Sequence, residues 1–321
     1  MIRVAVVGGG QNCEHEVSLA SAASVAAALD PARYDVVRLT IGPDGRWSGP
    51  GVRSLSSAVA LLARCDVVLP IVHGLRGEDG TLAALGDLAG VPVAGSGLTA
   101  GAVAIDKWAT KVLAASVGVA VVPGVVVRRD SPVAGLWTGS PVVVKPVCAG
   151  SSRGVSLVST VTGLDAALAL AWELDDRALV EPVVEGREID VAVLRLPDGG
   201  LRVGPPLEIV TEGVFDYEAK YSGPPPFLVP APLDAVDRGG LESAAVTLFE
   251  ALGCRGVARV DFFLTAAGPV LNEVNTMPGM TAHSQVPTMF AADGLPYPAL
   301  LDLLVAEALG RDPAPDAVTY V

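Results

Sequence analysis

Apolar runs of strand length alternate with longer stretches of small and apolar residues through the N-terminal third of the chain. Residues 2–7, 34–41 and 66–72 are rich in Val, Ile and Leu and predict strands; residues 15–29, 55–63 and 80–90 predict helices, and residues 91–95 a further short strand. This rhythm predicts an α/β fold with a doubly wound parallel sheet. From Lys107 the rhythm changes. A helix over 107–116 leads into strands at 122–129, 141–147 and 153–159, a helix near 164–174 and a strand at 178–184, the pattern of a small α+β unit. Long strands dominate beyond, at 187–196 and 201–210. A Pro-rich loop follows, then a helix over 241–252, a hairpin of residues 257–264 and 270–280, and a last helix over 297–309. Three modules are expected, 1–105, 106–186 and 187–321, with ligands in the crevices between them.

The hairpin breaks the apolar pattern in a regular way. Arg259 and Asp261 alternate with apolar residues on its first strand, Glu273 and Asn275 on its second. Residues two apart on a strand share a face, so one face gathers a guanidinium, two carboxylates and an amide. A solvated face of an amphipathic hairpin is one reading. A cation site is the other: oxygen donors without His or thiolate suit Mg²⁺, which takes oxygen ligands at about 2.1 Å and shares them with substrate phosphates.

Charge narrows the partners. A net charge of −13 argues against a nucleic-acid footprint, which needs clustered Lys and Arg, and against an anionic membrane surface. Four scattered cysteines form no CxxC pair and fit a reducing compartment. The longest nearly apolar stretch, 112–127, is interrupted by Ser116, Gly118, Pro123 and Gly124 and is shorter than the roughly 18 residues of a spanning helix. The chain opens on a predicted strand rather than a signal peptide, and a soluble cytoplasmic protein is expected. Of 22 basic residues only Lys107, Lys111, Lys145 and Lys220 are lysine. A chain that otherwise uses Arg either keeps Lys where a compact point charge is needed or retains it by accident on the surface.

Three loops carry candidate chemistry. The glycines after the first strand open a helix, a place that suits an anion, but Cys13 stands where a dinucleotide fingerprint needs its third glycine, and no acid ends the second strand. Glu14 there either complements the helix dipole or holds a substrate ammonium. His73, beside Gly74 and Gly77, is either a satisfied loop histidine or a phosphate or substrate contact. Lys145 ends a strand, and the Gly/Ser-rich stretch 150–154 follows. Small residues let successive amides ring a phosphate, although a long hairpin turn has the same composition.

Taken in order, "CEHEVSLAS", "HGLRGEDGT", "GSGLTAGAVAIDK", "VVKPVCAGSSRGV", "DYEAKY", "GVARVDF" and "NEVNTMPGMTAHS" resemble the D-alanine–D-alanine ligase family of the ATP-grasp superfamily over essentially the whole chain. The resemblance implies an N-terminal preATP-grasp sheet, two α+β ATP-grasp subdomains, and an omega loop beside the metal site. It implies ATP and two Mg²⁺ as cofactors, with Mn²⁺ able to substitute, D-alanine as substrate, a homodimer, and a role in peptidoglycan precursor synthesis. By the same resemblance Lys107, Lys145, Lys220 and Ser152 meet the phosphates, Glu188 the ribose, and Glu181 and the backbone at Val184 the adenine. Asp261, Glu273 and Asn275 bind metal. Glu14 holds the first ammonium and forms a loop-closing trio with Ser151 and Tyr221. Arg259 and the Gly279 amide stabilise the oxyanion, and Ser284 takes the second carboxylate. The Pro-stiffened loop with Lys220 and Tyr221 serves as a lid.

Departures from the family pattern stand at Pro182, where many relatives have Lys near the adenine, at Arg153 in the phosphate loop, and at Gln285, where an apolar residue is usual beside the second substrate. Arg153 and Gln285 leave open a ligase of the same mechanism with another amino acid or D-lactate as second substrate. A catalytically silent paralogue is disfavoured by the complete metal and catalytic set.

Overall fold

The computed structural model describes residues 1–131, 137, 139–210 and 227–310. Strand β1 (Ile2–Gly9) lies at the centre of the first sheet and buries Val4 to Val7 completely. Helix α1 (His15–Ala28) returns the chain to β2 (Tyr34–Ile41), which pairs parallel with β1; β3 (Trp47–Ser48) is an antiparallel edge on β2. Helix α2 (Leu55–Leu62) leads to β4 (Val67–Pro70), parallel to β1 on its other side. The strand expected at 91–95 shrinks to a bridge between Val68 and Val93. Two rungs form, Val68 N–H to the Pro92 carbonyl and Ala94 N–H to the Val68 carbonyl, both 2.8 Å. The next would need an N–H from Pro70, which has none.

Helices α3 (Thr81–Ala89), α4 (Leu98–Ile105) and α5 (Lys107–Ser116) follow. Asp106 caps α5 by accepting the Ala109 N–H at 2.9 Å. The second sheet is antiparallel throughout: β5 (Val125–Arg128), β6 (Val142–Pro146), β7 (Ser156–Val158) and, after helix α6 (Val161–Ala171), β8 (Arg177–Pro182), in the order β5-β8-β6-β7. Val142, Val144, Val180, Leu164 and Leu168 form its own core.

The third sheet runs around β9 (Arg187–Arg195), a strand buried from Ile189 to Leu194. The single strand expected at 201–210 is cut into β10 (Leu201–Val203) and β11 (Leu207–Ile209), because Pro205 and Pro206 have no N–H for the ladder. Strand β12 (Phe227–Leu228) pairs with β11. Helix α7 (Ala235–Leu252) starts before the expected residue 241: Asp234 accepts the N–H groups of Val236 and Asp237 at 2.9 and 2.8 Å, and Gly239 and Gly240 interrupt the apolar pattern of its first turns. Strands β13 (Val257–Thr265) and β14 (Gly268–Asn275) are the expected hairpin, in the order β12-β11-β9-β13-β14 with β10 also on β9. Helices α8 (Gln285–Ala292) and α9 (Tyr297–Ala308) complete the described chain.

One core locks the first and third sheets together. Val4, Val6, Leu69 and Ile71 pack with Leu194, Met289, Phe290, Leu300 and Leu301. Ala104 and Ala114, on α4 and α5, pack with α7 and β13. Among the described residues no single helix is long and apolar enough to cross a membrane; α8 and α9 reach that composition only together, and they are bent by 104°.

Candidate active site

The β13–β14 hairpin brings its polar face together as expected. Arg259 is the cross-strand partner of Asn275, and Asp261 of Glu273, with a bulge immediately after Asp261. The Arg259 Nε and Nη2 donate to the two Asp261 oxygens at 2.7 Å each, and Asn275 Nδ2 donates to Asp261 Oδ2 at 3.0 Å. On the other flank, Asp190 of β9 is the partner of Asp261 and lies 3.4 Å from Arg259 Nε. Burial works against the Arg259 charge, but the Asp261 and Asp190 carboxylates outweigh it and push its pKa up. Among the described residues no group of three His, Cys, Asp or Glu is arranged to hold a metal. The candidate set instead pairs two carboxylates on adjacent strands with one amide, all oxygen donors, and that chemistry fits Mg²⁺.

A cavity of about 500 Å³ adjoins this face. Lys107, Lys145, Ser152, Glu181, Val184 and Glu188, the six described residues expected at the nucleotide, all line it, and so do Arg153, Pro182 and Glu273. Lys220 and Tyr221 lie outside the described residues. Two of the three described lysines are ordered by one buried carboxylate. Glu181 of β8 meets Lys111 Nζ at 2.5 Å and Lys145 Nζ at 2.7 Å. Lys145 also donates to Asn272 at 3.3 Å, and Lys107 donates to the Ala149 carbonyl at 2.6 Å and lies 3.3 Å from Glu273. Lys111, missed as a site residue, follows Lys107 by four positions and so shares its helix face. Burial lowers its pKa and Glu181 opposes that shift.

Glu14 stands at the N-cap of α1 but makes no side-chain cap bond. Its carboxylate reaches the 150–154 loop, where Ser151 Oγ donates to Oε1 at 2.5 Å. Ser151 and Ser152 hold left-handed backbone, φ 52° and 54°, an arrangement that costs energy outside glycine. The contact is close: a Cβ added at Gly74 or Gly150 would meet Glu14 Oε2 at 2.5 or 2.7 Å. Two members of the expected trio are therefore brought together; the third, Tyr221, is not described.

His73 is not placed as a substrate contact. Its Nδ1 lies 2.9 Å from the Met277 carbonyl and its Nε2 3.0 Å from Ser21 Oγ. A carbonyl only accepts, so Nδ1 carries the proton and Nε2 accepts from Ser21. Burial lowers the His73 pKa and keeps the ring neutral. Ser21 in turn accepts the Met280 N–H at 3.4 Å. The ring thus ties the loop after β4 to the 277–280 turn that carries Gly279.

Glu78, also missed, braces the same turn by accepting N–H groups from Gly74 and Met277, both at 3.2 Å. Burial, then the Glu14 charge, raises its pKa from an ordinary 4.5 to about 7. The folded state therefore holds a proton in that window which the unfolded chain has released, so stability falls as pH rises from 4.5 to 7. The loss is at most about 3 kcal/mol. Glu78→Gln is expected to flatten that slope; thermal melts at pH 5 and pH 8 that keep the wild-type difference would reject the assignment.

Ser284 is the N-cap residue of α8, and its Oγ lies 2.8 Å from Thr281 Oγ1. A Cβ at Gly279 would approach Ser284 Oγ to 3.1 Å, so the turn and the helix start are in contact. Gln285, expected at the second substrate, instead turns its amide inward: Arg259 Nη1 donates to Oε1 at 2.5 Å and Nε2 donates to Asp190 Oδ2 at 2.7 Å.

An antiparallel four-stranded sheet and a larger antiparallel sheet, with a lysine-lined cavity between β6, β8 and β14, make this an ATP-grasp fold. The chain belongs to the D-alanine–D-alanine ligase family: the D-ala D-ala ligase N-terminus matches residues 3–96 and the D-ala D-ala ligase C-terminus residues 113–306. D-alanine–D-alanine ligases of Mycolicibacterium vanbaalenii and Mycolicibacterium gilvum are 40% and 41% identical, each alignment covering 97% of this chain and 98% of the relative. Among solved structures, the VanG D-Ala:D-Ser ligase from Enterococcus faecalis superposes with a TM-score of 0.83 at 34% identity, covering 96% of this chain and 99% of that one. The D-alanine–D-alanine ligase from Bacillus anthracis complexed with ATP superposes with a TM-score of 0.82 at 25% identity, covering 96% and 98%.

Proposed function

We propose that this protein joins two D-alanines with ATP, giving D-alanyl-D-alanine, ADP and phosphate, as a step in making peptidoglycan precursors. The observation that carries the reading is a nucleotide-sized cavity lined by Lys107, Lys145 and Glu273, which borders the Arg259–Asp261 face through the pairing of Glu273 with Asp261. The first substrate's carboxylate attacks the γ-phosphorus, ADP leaves, and an acyl phosphate results. The second substrate's amine attacks the acyl carbon, phosphate leaves, and the amine gives up a proton.

Each residue has a task in that sequence. Glu14 pairs with the first ammonium. Lys107 and Lys145 take charge on the transferring phosphates. Arg259 and the Gly279 N–H face the oxygen that becomes negative as the amine attacks. Ser284, at the N-terminus of α8, takes the second carboxylate, where the helix dipole adds to the hydroxyl. Asp261, Glu273 and Asn275 are the residues that would hold two Mg²⁺, or Mn²⁺ in their place. The ions, when bound, supply Lewis-acid neutralisation of phosphate charge. Lys220 and Tyr221, outside the described residues, take the roles the resemblance gives them, a phosphate contact and the third member of the trio with Glu14 and Ser151. The working form in this reading is a cytoplasmic homodimer, and sedimentation velocity tests its oligomeric state.

Release of ADP with D-alanine as the sole amino acid is the expected result. No release there, together with release on D-serine or D-lactate as second substrate, would replace the substrate assignment. Lys145→Ala is expected to raise KM for ATP by about tenfold to a hundredfold, the loss of one charge-assisted bond to a desolvated phosphate; unchanged steady-state kinetics would remove Lys145 from the phosphate site.

A further inference from the structure

Asp190 and Asp261 face each other across β9 and β13, and one guanidinium, that of Arg259, lies between them. Among the described residues, both carboxylates therefore compete for that cation. Nε favours Asp261, at 2.7 Å to Oδ1 against 3.4 Å to Asp190 Oδ2. Asp190 is only 2% exposed, so water is a poor substitute donor for it. Gln285 resolves the competition. Its Nε2 gives Asp190 a neutral donor at 2.7 Å, and its Oε1 accepts from Arg259 Nη1 at 2.5 Å. Asp190 is satisfied without turning the guanidinium, and Nη1 is fixed from the side opposite to Asp261.

We propose that Gln285 is a positioning residue: its amide, bridging Asp190 and Arg259, holds the guanidinium against Asp261 and aims it at the reacting acyl oxygen. Only the identity of that oxygen rests on the ligase reading above; the placement of Arg259 does not. Gln285 then governs rate through Arg259 rather than second-substrate choice by contact. An apolar side chain of the same length removes both bonds at once. Asp190 loses the Gln285 amide as a donor and bears more strongly on the Nε–H that Asp261 holds, and the guanidinium turns toward β9.

The test compares Gln285→Met, Asp190→Asn and the double variant with the wild type. Gln285→Met is expected to lower kcat roughly tenfold to a hundredfold, the cost of a misplaced catalytic group, with KM for the second amino acid little changed. The double variant is expected to regain most of that rate, because Asp190→Asn removes the charge that pulls Arg259 away. A residue that merely packs would show no such rescue. A raised KM for the second amino acid at unchanged kcat, or a double variant no faster than Gln285→Met, would overturn the proposal. Crystal structures of wild type and Gln285→Met give a readout that needs no turnover. Arg259 Nε nearer to Asp190 than to Asp261 in the variant supports the proposal, and an unmoved guanidinium overturns it. A wild type that does not ligate D-alanine defeats the substrate assignment alone, and the Arg259 comparison still decides this one.

Discussion

Asp261→Asn is expected to lower kcat by about a hundredfold to a thousandfold, the scale of losing one preorganised group that stabilises developing charge. The substitution keeps the side chain's size and one acceptor for Arg259 but removes the charge. Three losses follow from one atom's change. The paired hydrogen bonds from Nε and Nη2, each 2.7 Å, no longer meet two equivalent oxygens. Asp190, still charged and 3.4 Å from Nε, becomes the stronger attraction for the guanidinium. The oxygen set with Glu273 and Asn275 also loses half of its negative charge. ADP release on D-alanine gives the rate, and circular dichroism shows whether the fold is retained; a well-folded variant within about threefold of wild-type kcat is incompatible with Asp261 at the reacting centre.

Lys111→Met is expected to cost the most stability, about 3–5 kcal/mol, because it leaves a buried carboxylate short of a partner. Glu181 is 3% exposed and holds Lys111 and Lys145 on its two oxygens. With Lys111 gone, Lys145 is left to balance Glu181, and incoming phosphates must draw it away. Lys145→Ala works differently: Lys111 stays on Glu181, so the larger effect falls on ATP. Urea unfolding of both variants separates the two roles. A Lys111→Met midpoint equal to that of wild type would mean that Glu181 does not depend on this lysine.

The elements legible in the sequence were those whose pattern and chemistry agree. The hairpin 257–264 and 270–280 showed its polar face through simple alternation, and the structure pairs Asp261 with Glu273 and Arg259 with Asn275. The cavity likewise collects the six described residues expected at the nucleotide from separate stretches of chain. What stayed hidden depends on neighbours far away in sequence. Nothing near Asp190 signals that it faces Asp261, 71 residues on, since that follows from the order of strands in a sheet. His73 could not be assigned because its two partners, Ser21 and Met277, come from different units. Glu78 sat unnoticed in "HGLRGEDGT" because its raised pKa comes from burial and from Glu14. Lys111 left one trace, its spacing of four from Lys107, and the unusual scarcity of lysine made that trace worth following. Prolines explain the strand errors: Pro70, Pro205 and Pro206 deny the ladder its donors.

Gly74 and Gly150 approach the Glu14 carboxylate so closely that a single added carbon on either would lie at 2.5 or 2.7 Å from its oxygen. This gives a rule for reading other sequences. Three positions, scattered over distant parts of the chain, form one constraint, and no alignment column shows it by itself. A chain that keeps the glutamate while replacing either glycine must have turned the Glu14 carboxylate away or moved one of the two loops, and the three groups no longer meet in this way. The glycines, which carry no chemistry of their own, are thus the better markers for deciding which distant relatives share the site and which share only the fold.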